Sequence, residues 1–220
     1  MSEMFDCADP AQRQAGVAAA IGALRSGRLV VMPTDTVYGI GADAFDRDAV
    51  AALLSAKGRG RDMPVPVLVG SWDTIQGLVL SVPSSARELI RAFWPGALSL
   101  VVRQAPSLQW DLGDAHGTVM LRMPMHPVAI ELLREVGPMA VSSANISGRP
   151  AAHTAEQARE QLGELVQVYL DGGPAQQQIA STIIDLSGAR PILLRHGPVT
   201  AEAIAGVLGV EVATLSSQTD

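Results

Sequence analysis

The sequence predicts an α/β fold in which helices cover a twisted, mixed sheet. Two observations support this prediction: short apolar runs alternate with segments of helical periodicity, and several of these runs follow one another without a full helix between them. The alternation is typical of α/β proteins, and strands joined without a helix favour antiparallel neighbours, so the sheet should be mixed rather than purely parallel. With 220 residues, the chain is long enough for one sizeable core.

Apolar residues at helical spacing predict six helices. They are expected over residues 11–26, 46–56, 84–93, 128–135, 155–162 and 200–208. Local signals mark several of the ends. Gly27 follows the first helix at the position favoured for a left-handed cap, and Asp46 and Thr154 stand where N-cap residues are expected.

Short apolar runs predict eight strands, several of them bounded by turn-forming residues. They are expected over residues 29–32, 65–69, 98–102, 118–122, 139–142, 166–170, 182–186 and 192–195. Pro66 lacks a backbone N–H and therefore moves the second run towards an edge or a bulge. Residues 107–117 are predicted to form a surface loop, and residues 216–220 a frayed tail.

Composition excludes several classes of protein. The formal net charge is −6 and aromatic residues make up 4% of the chain, so neither a global positive field nor stacking platforms attract nucleic acid. Cys7 is the sole cysteine and the four histidines lack ligand spacing, so no metal site is predicted. The acidic N-terminus is unlike a secretory signal, and no apolar run reaches the ~18 residues of a membrane span. A cytoplasmic location is expected.

Four polar motifs stand beside apolar runs. They are PTDTVYG at residues 33–39, KGR at 57–59, SSANISG at 142–148 and STIID at 181–185. Hydroxyls, an amide and fixed cations at strand ends suit a site for an anionic, hydroxyl-bearing ligand. The first motif alone could equally be an ordinary turn. The cations of the second could simply complement a helix dipole rather than bind phosphate, and the P-loop pattern is absent.

Two further positions carry chemical information. Arg122 ends an apolar strand, where a cation is costly unless an anion meets it; the alternative to a ligand is a structural salt bridge. Ser143 stands in a small polar motif, but no G-x-S-x-G elbow surrounds it and no His–acid pair is evident. Its hydroxyl is therefore interpreted as a ligand-binding group and not as a nucleophile.

Seven motifs in one order carry a family resemblance. They are PTDTVYG (33–39), KGR (57–59), FWPG (93–96), SANISG (143–148), DGG (171–173), STI (181–183) and LRHG (194–197). This order closely resembles the YrdC-like family of L-threonylcarbamoyladenylate synthases over residues 15–205. The resemblance implies a catalytic domain over residues 15–210, between an N-terminal extension (1–14) and a tail (211–220), in the short, single-domain form. It also implies that the sheet curves around a positively lined cavity.

The resemblance implies the reaction and its partners. L-threonine, bicarbonate and ATP would give threonylcarbamoyl-AMP and pyrophosphate, with Mg²⁺ arriving on ATP. The product would serve N6-threonylcarbamoyladenosine formation at position 37 of tRNAs that read codons beginning with A. It would be used by a downstream tRNA threonylcarbamoyl transferase machinery, with weak or indirect contact to tRNA and none to membranes.

The resemblance also assigns site residues. The threonine-binding set would be Thr36, Arg122, Ser143 and Ser181. The ATP-binding set would be Lys57, Arg59, Met63, Thr118, Val141, Asn145 and Arg195, with Lys57 and Arg59 catalytic through charge neutralisation near the phosphates. The chain departs from the family pattern at Gly60, usually Pro, and at Met63, often Asn or His; the latter weakens one expected polar contact.

Two rival functions stand beside this interpretation. One is a non-enzymatic module that binds double-stranded RNA or ribosomal precursors, which the acidic net charge disfavours. The other is a carbamoyl-transferring enzyme of metal-centre maturation. Such enzymes are expected to be longer and to carry Cys-rich zinc segments, whereas this chain has a single cysteine.

Overall fold

A computed structural model describes residues 1–216 of the chain. In that range, the six α-helices are α1 (Pro10–Arg25), α2 (Arg47–Lys57), α3 (Ser84–Phe93), α4 (Pro127–Val136), α5 (Ala155–Leu162) and α6 (Ala201–Leu208). The ten strands are β1 (Glu3–Asp6), β2 (Val30–Met32), β3 (Gly39–Asp43), β4 (Val67–Leu68), β5 (Leu98–Arg103), β6 (Thr118–Arg122), β7 (Met139–Ser143), β8 (Val168–Asp171), β9 (Thr182–Asp185) and β10 (Ile192–Arg195). Short 3-10 turns occupy Trp72–Gly77, Gly163–Leu165 and Val212–Leu215.

All ten strands form one sheet in the order β1-β8-β2-β3-β7-β4-β6-β5-β9-β10. Four neighbouring pairs are parallel (β1–β8, β2–β8, β4–β6 and β5–β9). The other five are antiparallel (β2–β3, β3–β7, β4–β7, β5–β6 and β9–β10). The predicted mixed α/β fold is confirmed.

Helices cover both faces of the sheet. Val31 of β2 joins an apolar cluster with residues of α2, α3, α5 and α6, whereas its neighbours Val30 and Met32 join a second cluster with residues of α1 and α4. This split follows from the two-residue period of a strand, which turns successive side chains to opposite faces. Because both faces of β2 are buried, this strand is a short apolar run rather than an alternating pattern.

Capping residues define the helix that leads to the site. The carboxylate of Asp46 accepts the backbone N–H groups of Asp48 and Ala49, which confirms it as the N-cap of α2. The helix ends at Lys57, where Gly58 adopts a left-handed conformation with φ of 61°. A residue with a Cβ is strained in that conformation, so Gly58 allows the abrupt turn that follows Lys57 and leads to Arg59.

Two strands escaped prediction from the sequence. β1 lies within the N-terminal extension and pairs in parallel with β8 at the sheet edge, although its apolar part consists of Met4 and Phe5 alone. β3 reads GIGAD, a composition of low strand propensity. Its glycines are required by packing, since a Cβ on Gly39 would lie 2.7 Å from Val141 and one on Gly41 2.6 Å from Met139.

The edge position expected for the run that contains Pro66 is wrong. β4 lies in the interior of the sheet, between β7 and β6, and is only two residues long. Pro66 precedes it, and its carbonyl accepts the N–H of Val141 at 2.8 Å, so the missing N–H interrupts no ladder. The loop at 107–117 lacks helix and strand as expected, but Trp110 and Leu112 anchor it in the core. Of the predicted tail, residues 217–220 lie outside the described range.

Candidate active site

A cavity of about 190 Å³ opens where several strand ends and loops meet. Three kinds of group line it: arginines, hydroxyls and apolar side chains. They include Arg59, Arg122, Arg195, Thr34, Thr36, Ser99, Ser142, Ser143, Ser181, Leu68, Met120 and Val141. Among the described residues that line the cavity, none is Asp or Glu. The lining therefore favours an anionic ligand that also bears hydroxyl groups.

Arg122 is the most constrained of the three arginines. It ends β6, and its side chain is 8% exposed. Its Nε donates to the carbonyl of Gly96 at 2.9 Å, Nη1 to Oγ1 of Thr36 at 2.9 Å, and Nη2 to Oδ1 of Asp35 at 2.6 Å. A guanidinium has five N–H donors, so these bonds leave two for a ligand in the cavity.

Asp35 supplies the counter-charge of this arginine from the loop after β2. It is fully buried, and its Oδ1 also accepts the backbone N–H of Met125 at 2.8 Å. Burial lowers the pKa of Arg122 and Asp35 acts against that shift, so the guanidinium remains charged. Arg122 thus forms a structural salt bridge with Asp35, which was the alternative to a ligand-binding role, and it also faces the cavity.

The two threonines beside Asp35 have different roles. The hydroxyl of Thr34 donates to the carbonyl of Val37 at 2.6 Å, which satisfies the turn itself. The hydroxyl of Thr36 lies 3.1 Å from that of Thr34 and accepts from Arg122. Both threonines line the cavity, but the turn interpretation fits the hydroxyl of Thr34, whereas the hydroxyl of Thr36 bonds to Arg122.

A tyrosine holds the end of this loop against the Asp171-Gly172-Gly173 motif. The phenolic oxygen of Tyr38 donates to the carbonyl of Gly173 at 2.6 Å and accepts the N–H of Gly172 at 3.0 Å. Tyr38 is fully buried, and burial raises the pKa of its hydroxyl. The phenol therefore stays protonated and ties the loop after β2 to the end of β8.

Arg195 and Ser181 form a second polar group in the cavity lining. Arg195, at the end of β10, donates through Nε to the carbonyl of Ser181 at 2.8 Å and through Nη2 to its hydroxyl at 3.1 Å. The hydroxyls of Ser181 and Ser99 lie 2.8 Å apart. Burial lowers the pKa of Arg195, and repulsion from Arg122 and Arg59 adds to the shift. The three arginines thus share one space.

Lys57 does not line the cavity. It is 1% exposed, and its ammonium donates to the backbone carbonyls of Ser143 and Asn145 and, at 2.8 Å, to Oδ1 of Asn145. Burial and the charge of Arg59 lower the pKa of Lys57 to about 7, whereas the oxygen acceptors around it favour the charged form. The ammonium is thus engaged with the loop after β7.

Seven of the eleven predicted site residues line the cavity, namely Thr36, Arg59, Arg122, Val141, Ser143, Ser181 and Arg195. The other four lie outside it. Besides Lys57, Asn145 bonds through its amide to the carbonyls of Ile146 and Arg149, and the hydroxyl of Thr118 donates to the carbonyl of Ala115 at 2.7 Å. Met63 is 43% exposed in the loop after α2.

Sequence reasoning missed several lining residues. Ser99 is the one with a readable signal, because it is a lone hydroxyl within the otherwise apolar run LSLVV of β5. Leu68 and Met120 carry no such signal, since any strand of the core offers similar side chains. Only the strand order places them at the cavity.

The part of the chain that the structure describes contains neither a cluster of metal ligands nor a membrane-spanning helix. Over residues 1–216, no three His, Cys, Asp or Glu side chains converge in a way that could hold a metal ion. Across the same residues, every helix is too short or too polar to cross a bilayer.

Comparisons with known proteins identify the family to which this chain is similar. The family model Sua5_yciO_yrdC, described as telomere recombination, matches residues 22–197. The putative threonylcarbamoyl-AMP synthase of Mycobacterium tuberculosis is 76% identical over 98% of this chain and 99% of its own length. The threonylcarbamoyl-AMP synthase of Pyrococcus abyssi is 38% identical over 86% of this chain, which spans 56% of that relative.

A solved structure agrees with these similarities. The structure of Sua5 from P. abyssi in complex with L-threonine superposes with a TM-score of 0.88 and 34% identity, over 94% of this chain and 61% of that one. The family match, the sequence identity and the shared fold all cover most of the chain. This chain is therefore a member of the Sua5/YciO/YrdC family.

Proposed function

We propose that this protein is a threonylcarbamoyl-AMP synthase, which makes threonylcarbamoyl-AMP and pyrophosphate from L-threonine, bicarbonate and ATP. The observation that carries the proposal is the convergence of Arg122, Arg59 and Arg195 on one cavity rich in hydroxyls. Such a lining suits an amino acid and a polyphosphate together. The names of the relatives from M. tuberculosis and P. abyssi support the same activity.

Threonine binds at the Arg122 end of the cavity. The two N–H groups that Arg122 does not use within the protein meet the carboxylate as charge-assisted hydrogen bonds. Thr36, Ser143 and Ser181 offer hydroxyls to the amino acid from the surrounding walls. The complex of P. abyssi Sua5 with L-threonine supports an amino-acid site in a protein of this fold.

The triphosphate binds at the Arg59 and Arg195 end. Arg59 follows the turn at Gly58 and is held through Nε by the hydroxyl of Ser147 at 3.1 Å. Arg195 is held by Ser181, as described above. Two fixed guanidinium groups stabilise negative charge without reorganisation. Met63, Thr118, Val141 and Asn145 remain predicted nucleotide contacts.

The reaction then needs positioning more than acid–base chemistry. The threonine amine attacks the bicarbonate carbon, a C–N bond forms, and water leaves to give a carbamate. A carbamate oxygen attacks the α-phosphorus of ATP, and pyrophosphate leaves. Both steps bring anions together, so the arginines act by neutralising charge and aligning the reactants.

Mg²⁺ enters this scheme as part of the MgATP substrate. The described residues that line the cavity offer arginines and hydroxyls and no carboxylate. Mg²⁺ prefers oxygen ligands and is commonly held by substrate phosphates with few protein groups. We therefore place the ion on the phosphates of ATP rather than in a protein cage.

The product is a chemically activated donor of the threonylcarbamoyl group. An acyl adenylate transfers its threonylcarbamoyl group to an amine, here the adenosine at position 37 of tRNAs that read codons beginning with A. A separate tRNA threonylcarbamoyl transferase machinery carries out that step, in the cytoplasm. Contact with tRNA stays weak or indirect because the formal net charge of this protein is −6.

Pyrophosphate release tests the proposal. Purified protein is incubated with MgATP, L-threonine and bicarbonate, and each is omitted in turn. Release that needs all three supports the synthase. The opposite outcome is folded protein that releases no pyrophosphate in any combination and yet slows the migration of double-stranded RNA in a gel. That outcome would make the RNA-binding module the better account.

A further inference from the structure

Two buried polar atoms beside the Arg122 anchor lack a hydrogen-bond partner within residues 1–216. They are Oδ2 of Asp35 and Nδ1 of His126. Asp35 is fully buried, and its other oxygen already serves Arg122 and the backbone of Met125. A buried carboxylate oxygen without a donor is costly. The neighbourhood of Asp35 therefore calls for one more N–H or O–H group.

His126 lies close enough to Asp35 for the carboxylate charge to act on its ring, although the two side chains are not in direct hydrogen-bond contact. The bond from the N–H of Met125 holds the carboxylate of Asp35 against the residue that precedes His126. His126 occupies the N-cap position of α4, but its side chain makes no capping bond. On its other side the ring packs against Gly172, because a Cβ on that residue would lie 2.9 Å from Cε1 of His126. The imidazole is thus confined between two loops and not used by its own helix.

The protonation state of the ring restricts the possible bonds. Burial lowers the pKa of His126, and Asp35 only partly opposes that shift, so the ring is neutral at pH 7. A neutral imidazole has one N–H donor and one acceptor nitrogen. A proton on Nδ1 makes this buried nitrogen a donor near the negative charge of Asp35, whereas a proton on Nε2 leaves Nδ1 as an acceptor.

We propose that His126 is a positioning residue of the threonine site, whose Nδ1–H group bonds to Oδ2 of Asp35 through one buried water molecule. With Oδ2 held by His126 and Oδ1 by Met125, the carboxylate cannot rotate about its axis. The guanidinium of Arg122 then keeps its two remaining donors aimed at the ligand carboxylate. The effect on threonine binding rests on the proposed function; the hydrogen bond itself does not.

The first experiment reads the tautomer without turnover. Protein labelled with nitrogen-15 in its histidines is studied by multiple-bond proton–nitrogen correlation at pH 7, and the His126 signals are assigned from their loss in His126→Asn. We expect Nδ1 to be the protonated nitrogen. A proton on Nε2 would overturn the proposal, whatever the protein catalyses.

The second experiment separates positioning from general structural damage. The amide nitrogen of Asn can take the place of Nδ1, whereas the longer Gln side chain cannot, so His126→Asn and His126→Gln form a matched pair. We expect His126→Gln and His126→Ala to raise the KM for threonine by about tenfold, the usual cost of a lost bond to a charged group. The KM for ATP and kcat should stay near wild type.

His126→Asn should restore most of the affinity for threonine, and His116→Asn, at an exposed loop position, should change nothing. An unchanged KM for threonine in His126→Gln, or equal impairment of the Asn and Gln variants, would contradict the positioning role. If the wild-type protein shows no threonine-dependent turnover, the proposed function fails, while the tautomer measurement still decides whether His126 bonds to Asp35.

Discussion

Arg59, Arg122 and Arg195 share one cavity although like charges repel each other, and each is held by bonds to the protein. The bonds differ in kind: Arg122 has a buried carboxylate partner, whereas Arg59 and Arg195 bond to serines. Within residues 1–216, two of the three cations thus face the cavity without a bonded counter-charge. An anionic ligand would supply it, and this is the physical reason to place ATP between Arg59 and Arg195.

Substitution of Arg122 by Lys should weaken threonine binding specifically. Lys keeps the positive charge beside Asp35 but loses the planar fork that can grip a carboxylate with two bonds. We expect the KM for threonine to rise by about tenfold or more, with the KM for ATP little changed, in assays of pyrophosphate release. Arg122→Ala is less informative, because it strands a buried carboxylate at a cost of about 3–5 kcal/mol. An unchanged threonine response in Arg122→Lys would refute the assignment.

Substitution of Arg59 by Ala should abolish turnover and leave the fold intact. The side chain is only partly buried and bonds to the hydroxyl of Ser147, so stability depends little on it. Loss of one fixed donor to the phosphates should lower kcat by about 10²-fold or more. Arg25→Ala, on the exposed face of α1, is the matched control and should retain full activity. Wild-type rates in Arg59→Ala would remove this residue from the mechanism.

At the scale of helices and strands, the end of each element determines which of the predicted side chains reach the cavity. Lys57 and Arg59 are two positions apart, but α2 ends between them, and the turn at Gly58 sends one into the protein and the other to the cavity wall. Spacing alone could not separate them. The helix bounds were well predicted, since caps and periodicity are local signals, and α3 and α5 start and end where expected.

The strand β3 shows why some elements cannot be predicted. A strand with two glycines in five residues has little propensity of its own. It forms because β2 and β7 pair with it on both sides, and side chains of β7 leave no room for a Cβ at either glycine. That constraint comes largely from β7, which is remote in sequence, so no local pattern contains it.

Replacement of Lys57 by Met tests whether this lysine acts on the nucleotide or on the loop after β7. Met fills similar space but leaves buried acceptors on Ser143 and Asn145 without a donor. We expect the free energy of unfolding to fall by about 3 kcal/mol or more, as measured by urea denaturation. Loss of activity at unchanged stability would instead favour direct contact between Lys57 and the phosphates.

Two glycine substitutions form a matched pair. A Cβ on Gly197 would overlap the backbone nitrogen of Thr182 and lie 2.7 Å from the backbone carbon of Ser181, so Gly197→Ala must displace the Ser181 segment. We expect it to lower the melting temperature and to raise the KM for threonine. Gly206, within α6, has nothing within 4 Å of the added Cβ, and Gly206→Ala should add about 0.5–1 kcal/mol of stability. Equal behaviour of the two variants would contradict this account.

At the scale of the whole molecule, the site depends on strand order. Residues from position 34 to position 195 line one cavity, among them Thr36, Arg59, Arg122, Ser143, Ser181 and Arg195. Local periodicity predicts the elements but not the order β2-β3-β7-β4-β6-β5-β9-β10 that collects them. The polar motifs at strand ends predicted which residues would bind a ligand, and the family resemblance predicted that they would serve one site. The bonds of Lys57 and the missing partners of Asp35 and His126 become visible only in three dimensions.

The central claim is that one cavity joins threonine, bicarbonate and ATP into a single molecule. It is tested most directly by supplying carbon-13-labelled bicarbonate with MgATP and L-threonine, quenching within seconds and measuring the nucleotide product by mass spectrometry. The account predicts an adenylate that contains threonine and gains the mass of the label, absent when threonine is omitted. Pyrophosphate release without such a labelled adenylate, or an adenylate that carries threonine but no label, would contradict it.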